Sequence, residues 1–225
     1  CSGVQAFGRS GSGVQAFRCS GVQDRQGQGQ DAIRRPERLN ARTPERLNLN
    51  ARTPERLSTR PLILSVGTLI PEKGFEYVIR ACRRLSDRGV LYDCVIVGDG
   101  PDRARLEDLV ALFDLGERVT LAPYRPQEEL RRLFQQAAAF TLPCIFPLNG
   151  NVDVIPLVLQ EAMAMARPVV STPISGIPEL IRDEENGLLA PEKDDEALAD
   201  ALARLLRDPK LARQLGAAAR QTVVE

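Results

Sequence analysis

From Pro61 onward, short aliphatic runs alternate with charged amphipathic segments: PLILSV at 61–66, EKGFEYVIRACRRLSDR at 72–88 and YDCVIV at 92–97 open the series. The aliphatic runs are four to six residues long and hardly alternate in polarity. A strand of that kind has both faces buried, so its sheet must be covered by helices on both sides. The amphipathic segments between the runs supply those helices and make the strands parallel. The series continues with a helix over 102–115, a strand over 118–122, a helix over 127–137, a strand over 139–143 and a helix over 156–166. Strands over 168–171 and 187–190 and closing helices over 195–208 and 209–225 complete it. The pattern predicts an α/β fold, a doubly wound parallel sheet of about six strands over 61–225. Ligands of such sheets bind beyond the carboxyl ends of the strands, so the loops there are the candidate site.

Residues 1–60 have a different character. SGVQAF occurs at 2–7 and 12–17, PERLNART at 36–43, and PERL again at 44–47 and 54–57. Units of about eight residues rich in Gly, Ser, Gln, Arg and Pro bury too little apolar surface to offset ordering entropy, so a disordered tail is expected. The two phrases are one element read twice. PERLNART can be encoded by CCT GAA CGC CTG AAC GCC CGA ACG, whose reverse complement reads RSGVQAFR, the phrase that recurs in degraded form around Arg9 to Arg18. The tract carries 11 Arg against 5 acidic residues, a +6 front on a −6 body that sums to zero. With only Phe7 and Phe17 as aromatics it has no stacking platform, and no nucleic-acid partner is expected.

Several chemistries are excluded. The chain has no histidine and its five cysteines, Cys1, Cys19, Cys82, Cys94 and Cys144, lack CxxC spacing. Neither a zinc finger nor histidine catalysis can be assembled, and no metal is expected. No run approaches the ~18 apolar residues of a membrane span, and neither a membrane span nor a signal peptide is expected. A reduced, cytoplasmic compartment is expected, either free or peripheral at a membrane.

Three loops carry possible chemistry. In GTLIPEKGF, Gly67 follows a strand and Lys73 stands at the next helix entry, where a cation and free N–H groups can face a phosphate; a lysine at a helix entry is equally an ordinary surface residue. VGDGP at 97–101 lacks the third glycine of a dinucleotide fingerprint, so a nicotinamide cofactor is not expected; Pro101 suits a helix start. In NVDVIPLVLQEAMAMARPVV, Pro156 suits a first helical turn, with Asp153 ahead of it and Glu161 inside. The rise from Pro156 to Glu161, about 7.5 Å, lets the helix amides and the carboxylate serve different parts of one elongated ligand. By spacing alone the plainer reading takes precedence: Asp153 favours the helix N-terminus and Glu161 is a solvated carboxylate.

The succession GTLIPEKGF, IVGDGPDRARLE, RVTLAPYRPQEEL, DVIPLVLQEAMAMARPVVSTPISGIPELI and ENGLLAPEKD resembles the C-terminal half of the retaining GT-B glycosyltransferases known as glycosyl transferase group 1. The resemblance covers nearly all of 61–225 and implies a Rossmann-like domain that binds a nucleotide-diphosphate sugar. It implies that Asp153 contacts the donor sugar and Glu161 the ribose, two acids separated by seven residues as in the family. The segment Val154, Ile155, Pro156, Leu157 and Val158 then cradles the diphosphate, with Lys73, Gly67 and Thr68 also at the phosphates and Tyr124-Arg125 at the base. The donor is a substrate, and neither a cofactor nor a metal is implied.

The sequence departs from the family in places. Thr68 stands where the family usually has arginine, and a lost charge-assisted contact of that kind lowers donor affinity by roughly 1.5–3 kcal/mol. Val154 stands where a glycine is usual, and Ala166-Arg167 where glycine and a small or apolar residue are usual. The family's acceptor-binding N-terminal domain and its last crossover helix are not found in this sequence. The expectation is a chain that binds the donor alone, with a separate acceptor-binding domain or subunit as partner. The alternatives are a non-catalytic nucleotide-sugar-binding module and a nonfunctional fragment of a gene disrupted by the repeat.

Overall fold

The computed structural model describes residues 59–146 and 155–224. The repeat tract up to residue 58, the segment 147–154 and Glu225 lie outside the described residues. Six parallel strands alternate with helices: β1 (Leu62–Val66), α1 (Phe75–Asp87), β2 (Asp93–Val97), α2 (Arg103–Leu112), β3 (Val119–Ala122), α3 (Gln127–Gln136) and β4 (Ala137–Leu142). Then follow α4 (Leu157–Ala164), β5 (Val169–Ser171), α5 (Ile177–Leu180), β6 (Leu188–Leu189), α6 (Asp195–Arg207) and α7 (Pro209–Val224). The sheet order is β3-β2-β1-β4-β5-β6, so the chain reverses direction across the sheet between β1 and β4. A crevice opens at the carboxyl ends of the strands at such a reversal.

The strand runs are buried as a doubly covered sheet requires: every residue of β1 is buried, as are four of the five in β2. Hydroxyls within this apolar layer are satisfied at the carboxyl end of the sheet. Ser65 Oγ donates to the Thr141 carbonyl at 2.5 Å, Thr141 Oγ1 to Val170 at 3.1 Å, and Ser171 Oγ to Leu142 at 2.8 Å. These bonds bind β1, β4 and β5 across the reversal and hold the rim of the crevice rigid. β4 begins at Ala137, two residues before the run that the sequence marks, because a register irregularity against β1 near Leu62 accommodates the extra residue.

α1 buries Phe75, Val78, Ile79, Cys82 and Leu85, the stripe expected of a helix packed on one side. Gly74 at its entry has φ 69°, and a Cβ there would lie 1.9 Å from the Pro143 carbonyl oxygen, so only glycine fits between α1 and the end of β4. α6 is capped by Asp194, whose carboxylate accepts from the amides of Glu196 at 3.0 Å and Ala197 at 2.9 Å.

Boundaries differ from the sequence reading in small, explicable ways. Pro156 is the residue before α4 rather than part of its first turn, with φ −63° and ψ 121°, and the helix starts at Leu157. Likewise Asp102, not Pro101, immediately precedes α2. The four-residue α5 has no counterpart in the sequence reading, since glycines and prolines around it mask any apolar period. Among the described residues no helix is long and apolar enough to cross a membrane.

Candidate functional site

Three loops and one helix meet at the carboxyl end of the sheet. After β1 the chain turns through Gly67 and Thr68, held to β2 by the Gly67 amide donating to the Val97 carbonyl at 3.0 Å. A 3-10 turn over Pro71–Lys73 follows, and the Lys73 stem passes within 3.9 Å of where a Gly67 side chain would begin. After β2 come Gly98 and Asp99; after β3 come Tyr124 and Arg125. α4 closes the opposite side. The amides of Leu157 and Val158 at its first turn donate to no partner among the described residues, leaving the positive end of the helix available to an anion.

A crevice of about 490 Å³ is lined by Val66, Gly67 and Thr68, by Val97, Gly98 and Asp99, by Tyr124, Gln127 and Leu130, and by Val158 and Glu161. A second hollow of about 450 Å³ lies between α3 and α4, lined by Gln127, Glu128, Leu130, Arg131, Phe134, Glu161, Ala164 and Met165. Gln127, Leu130 and Glu161 border both hollows. Glu161 therefore stands at their junction, half-buried, and its carboxylate makes no hydrogen bond or ion pair among the described residues. A helix carboxylate left unpartnered at the joint of two hollows is poised to accept from hydroxyl or amide donors of a ligand.

Of the residues singled out in the sequence, Gly67, Thr68, Tyr124, Val158 and Glu161 are brought together on this crevice. Lys73 adjoins it beside Gly67, while Ile155 and Pro156 lead into α4 and Leu157 begins it with its side chain exposed. Asp153 and Val154 lie outside the described residues. Arg125 is not among the residues lining the crevice; its guanidinium turns along α3 to Glu129 at 3.3 Å, and its Nε is buried without a hydrogen bond.

Sequence reasoning missed Asp99. Its Oδ2 accepts the Tyr124 amide at 2.8 Å, and Oδ1 pairs with the Arg103 guanidinium at 3.1 Å. The Tyr124 N–H foremost, helped by Arg103, outweighs the cost of desolvation and holds its carboxyl below the usual carboxylate range. A signal existed: an acid between two glycines at the end of a buried strand faces the crevice of a doubly wound sheet. Among the described residues no group of three or more His, Cys, Asp or Glu side chains stands together as a metal site.

The parallel six-stranded sheet with its crevice at the reversal is a Rossmann-like fold, and it matches that of GT-B glycosyltransferases. The chain belongs to the glycosyl transferases group 1 family, whose model matches residues 50–222. It is 43% identical over 162 residues to the amylovoran biosynthesis glycosyltransferase AmsK of Erwinia amylovora, a match covering 72% of this chain and 39% of AmsK. It is similar in structure to a sucrose-phosphate synthase from Thermosynechococcus elongatus, with 32% identity and a TM-score of 0.66 over 74% of this chain and 41% of that one. The fold is also that of Anabaena HepE, solved in complex with UDP-glucose, at 20% identity and a TM-score of 0.65 over 73% of this chain and 44% of HepE. The chain spans about two fifths of the length of the curated relatives it matches.

Proposed function

We propose that this chain is the donor-binding half of a glycosyltransferase that moves a sugar, with retention, from a nucleotide-diphosphate sugar to an acceptor bound elsewhere, and that alone it holds the donor without transferring it. The observation that carries this reading is the unpartnered Glu161 carboxylate at the junction of the two hollows, one turn of helix beyond the free amides of α4. In this reading those amides and Lys73 take the diphosphate, Glu161 takes the ribose hydroxyls, and the Tyr124 segment takes the base. Asp153 takes the sugar, as in the family. Anabaena HepE, alike in fold, was solved with UDP-glucose, which supports a nucleotide sugar as the ligand class.

The chemistry asked of these residues is electrostatic. Breaking the bond from the sugar to the diphosphate builds negative charge on the departing phosphate oxygens. Preset amide donors and a lysine stabilise that charge without reorganising. A metal is not part of this proposal, and the donor is a substrate rather than a cofactor. Thr68, where arginine is usual in the family, leaves one cation fewer at the phosphates, so modest affinity is expected.

The experiment is calorimetric titration of the chain with UDP- and GDP-sugars, repeated on Glu161→Gln. One donor class is expected to bind saturably. The substitution weakens a charge-assisted hydrogen bond worth about 1.5–3 kcal/mol, which is roughly ten- to hundredfold in affinity. Because Glu161 has no partner among the described residues, thermal stability should stay within about 0.5 kcal/mol. No saturable binding of any nucleotide sugar would refute the reading and favour the nonfunctional alternative.

A further inference from the structure

The three loops at the carboxyl ends of β1, β2 and β3 are joined in series, and the middle one is the strut. On one side, the loop after β2 is fastened to the loop after β1 by backbone bonds: the Leu69 amide donates to the Asp99 carbonyl at 3.0 Å, and the Asp102 amide to the Leu69 carbonyl at 3.1 Å. The approach is so close that a Cβ on Gly98 would lie 1.9 Å from the Gly67 carbonyl oxygen. On the other side, backbone pairing with β3 ends where the Gly98 amide donates to the Ala122 carbonyl at 3.1 Å. Beyond that point the connection passes to side chains. Asp99 Oδ2 accepts the Tyr124 amide, and Arg103, paired with Asp99 Oδ1, donates to the carbonyls of Gly98 at 2.7 Å and Ala122 at 3.1 Å.

Tyr124 itself is poorly anchored by packing, since 70% of it is exposed. Tyr124 and Arg125 lie between Pro123 and Pro126, which have no N–H to donate, so few backbone donors can fix this segment. Asp99, Tyr124 and Gln127 all line the crevice. A carboxylate that takes the Tyr124 amide therefore decides where the Tyr124 carbonyl and the Gln127 carboxamide stand relative to a ligand in that crevice. Asp99 is more than half exposed, so it is not needed to fill the core.

We propose that Asp99 is a positioning residue for base recognition, its carboxylate clamping the 124–127 segment to the β2 loop so that this segment reads the edge of the nucleobase. The inference rests on the reading of the crevice as a nucleotide-sugar site. Asp99 acts through Tyr124 and touches no reacting atom. Its effect falls on discrimination between bases rather than on the diphosphate, which this reading gives to the amides of α4 and to Lys73.

The test is titration of the full chain with UDP and with GDP, taking the ratio of the two affinities for wild type, Asp99→Ala and Asp99→Asn. Wild type is expected to favour one base by tenfold or more, and Asp99→Ala to bring that ratio to within about threefold of unity. Asp99→Asn keeps an oxygen that can accept the Tyr124 amide, and should restore most of the preference. A preference unchanged in Asp99→Ala overturns the proposal, as does an equal fall for both nucleotides, which a merely structural residue would produce. Failure of asparagine to rescue does so too. A wild-type chain that binds both nucleotides without preference overturns the inference alone. One that binds neither overturns the nucleotide-sugar reading with it.

Discussion

Ala166 follows the end of α4 with φ 55°, the left-handed region in which the family commonly has glycine. A Cβ there costs about 1–2 kcal/mol, of which an unfolded glycine's extra freedom would return about 0.4–1. Ala166→Gly is therefore expected to raise stability by about 0.5–1 kcal/mol, or about 2 °C in Tm for a chain of this size. A calorimetric scan that finds a lower Tm would mean that the turn tolerates alanine without strain. The opposite substitution nearby has the opposite sign. A Cβ on Gly216 would lie 2.3 Å from the Ala166 carbonyl oxygen, so Gly216→Ala should lower Tm by forcing α7 away from α4. The neighbouring Arg167, the second departure at this turn, is accounted for by its bonds. Its Nε donates to the Met165 carbonyl at 3.0 Å, and its Nη1 to the carbonyls of Gln135 and Ala137 at 3.2 Å, closing the chain ends where α3 passes into β4.

Helices α1 and α2 are tied on the outer layer by Glu76, which accepts from Arg80 on its own helix at 2.8 Å and from Arg105 on α2 at 2.5 Å. Burial works against its ionised form, but the hydrogen bonds and charges of Arg105 and Arg80 outweigh it and hold the carboxyl below 4.5. A carboxyl depressed in the folded state stabilises the fold above its unfolded value and loses that contribution as pH falls through its folded value. The gap in urea midpoint between wild type and Glu76→Gln should thus be widest near neutral pH and shrink steadily below about pH 4.5; a gap independent of pH would show that Arg105 and Arg80 do not act on this group. The elements themselves were legible in the sequence because buried parallel strands leave unbroken aliphatic runs, and all six strands were found within two residues at each end. The adjacency of β1 and β4 was not legible, because it is fixed by packing between segments some seventy residues apart. Within the site, Glu161 was singled out through the family resemblance, since its spacing on the helix alone favoured a plain solvated carboxylate. Asp99 was passed over because Gly98 and Gly100 made its loop read as a turn alone, although an acid between two glycines at the end of a buried strand was itself a signal. The turn of the Arg125 side chain along α3 to Glu129 is a rotamer choice that no sequence pattern encodes.

At the scale of the whole molecule, holding a donor and transferring its sugar are separate tasks. In the proposed reading the first needs only the crevice, with the helix amides, Lys73 and Glu161 around it. The second needs an acceptor hydroxyl held within reach of the sugar while water is excluded. Such positioning accounts for roughly 7–11 kcal/mol of the barrier in well-oriented reactions. The matched relatives are about two and a half times the length of the region shared with this chain, so most of each relative lies outside that region. The chain alone is accordingly expected to saturate with its donor while releasing free nucleoside diphosphate no faster than buffer does. A labelled donor, with both the free nucleotide and the sugar followed over hours, measures this directly. Turnover that begins only when a polypeptide carrying the acceptor-binding half is added would place the missing positioning on that partner. Turnover by the chain alone would mean that the crevice can by itself orient an acceptor or water against the sugar, and would move the catalytic assignment onto the residues described here.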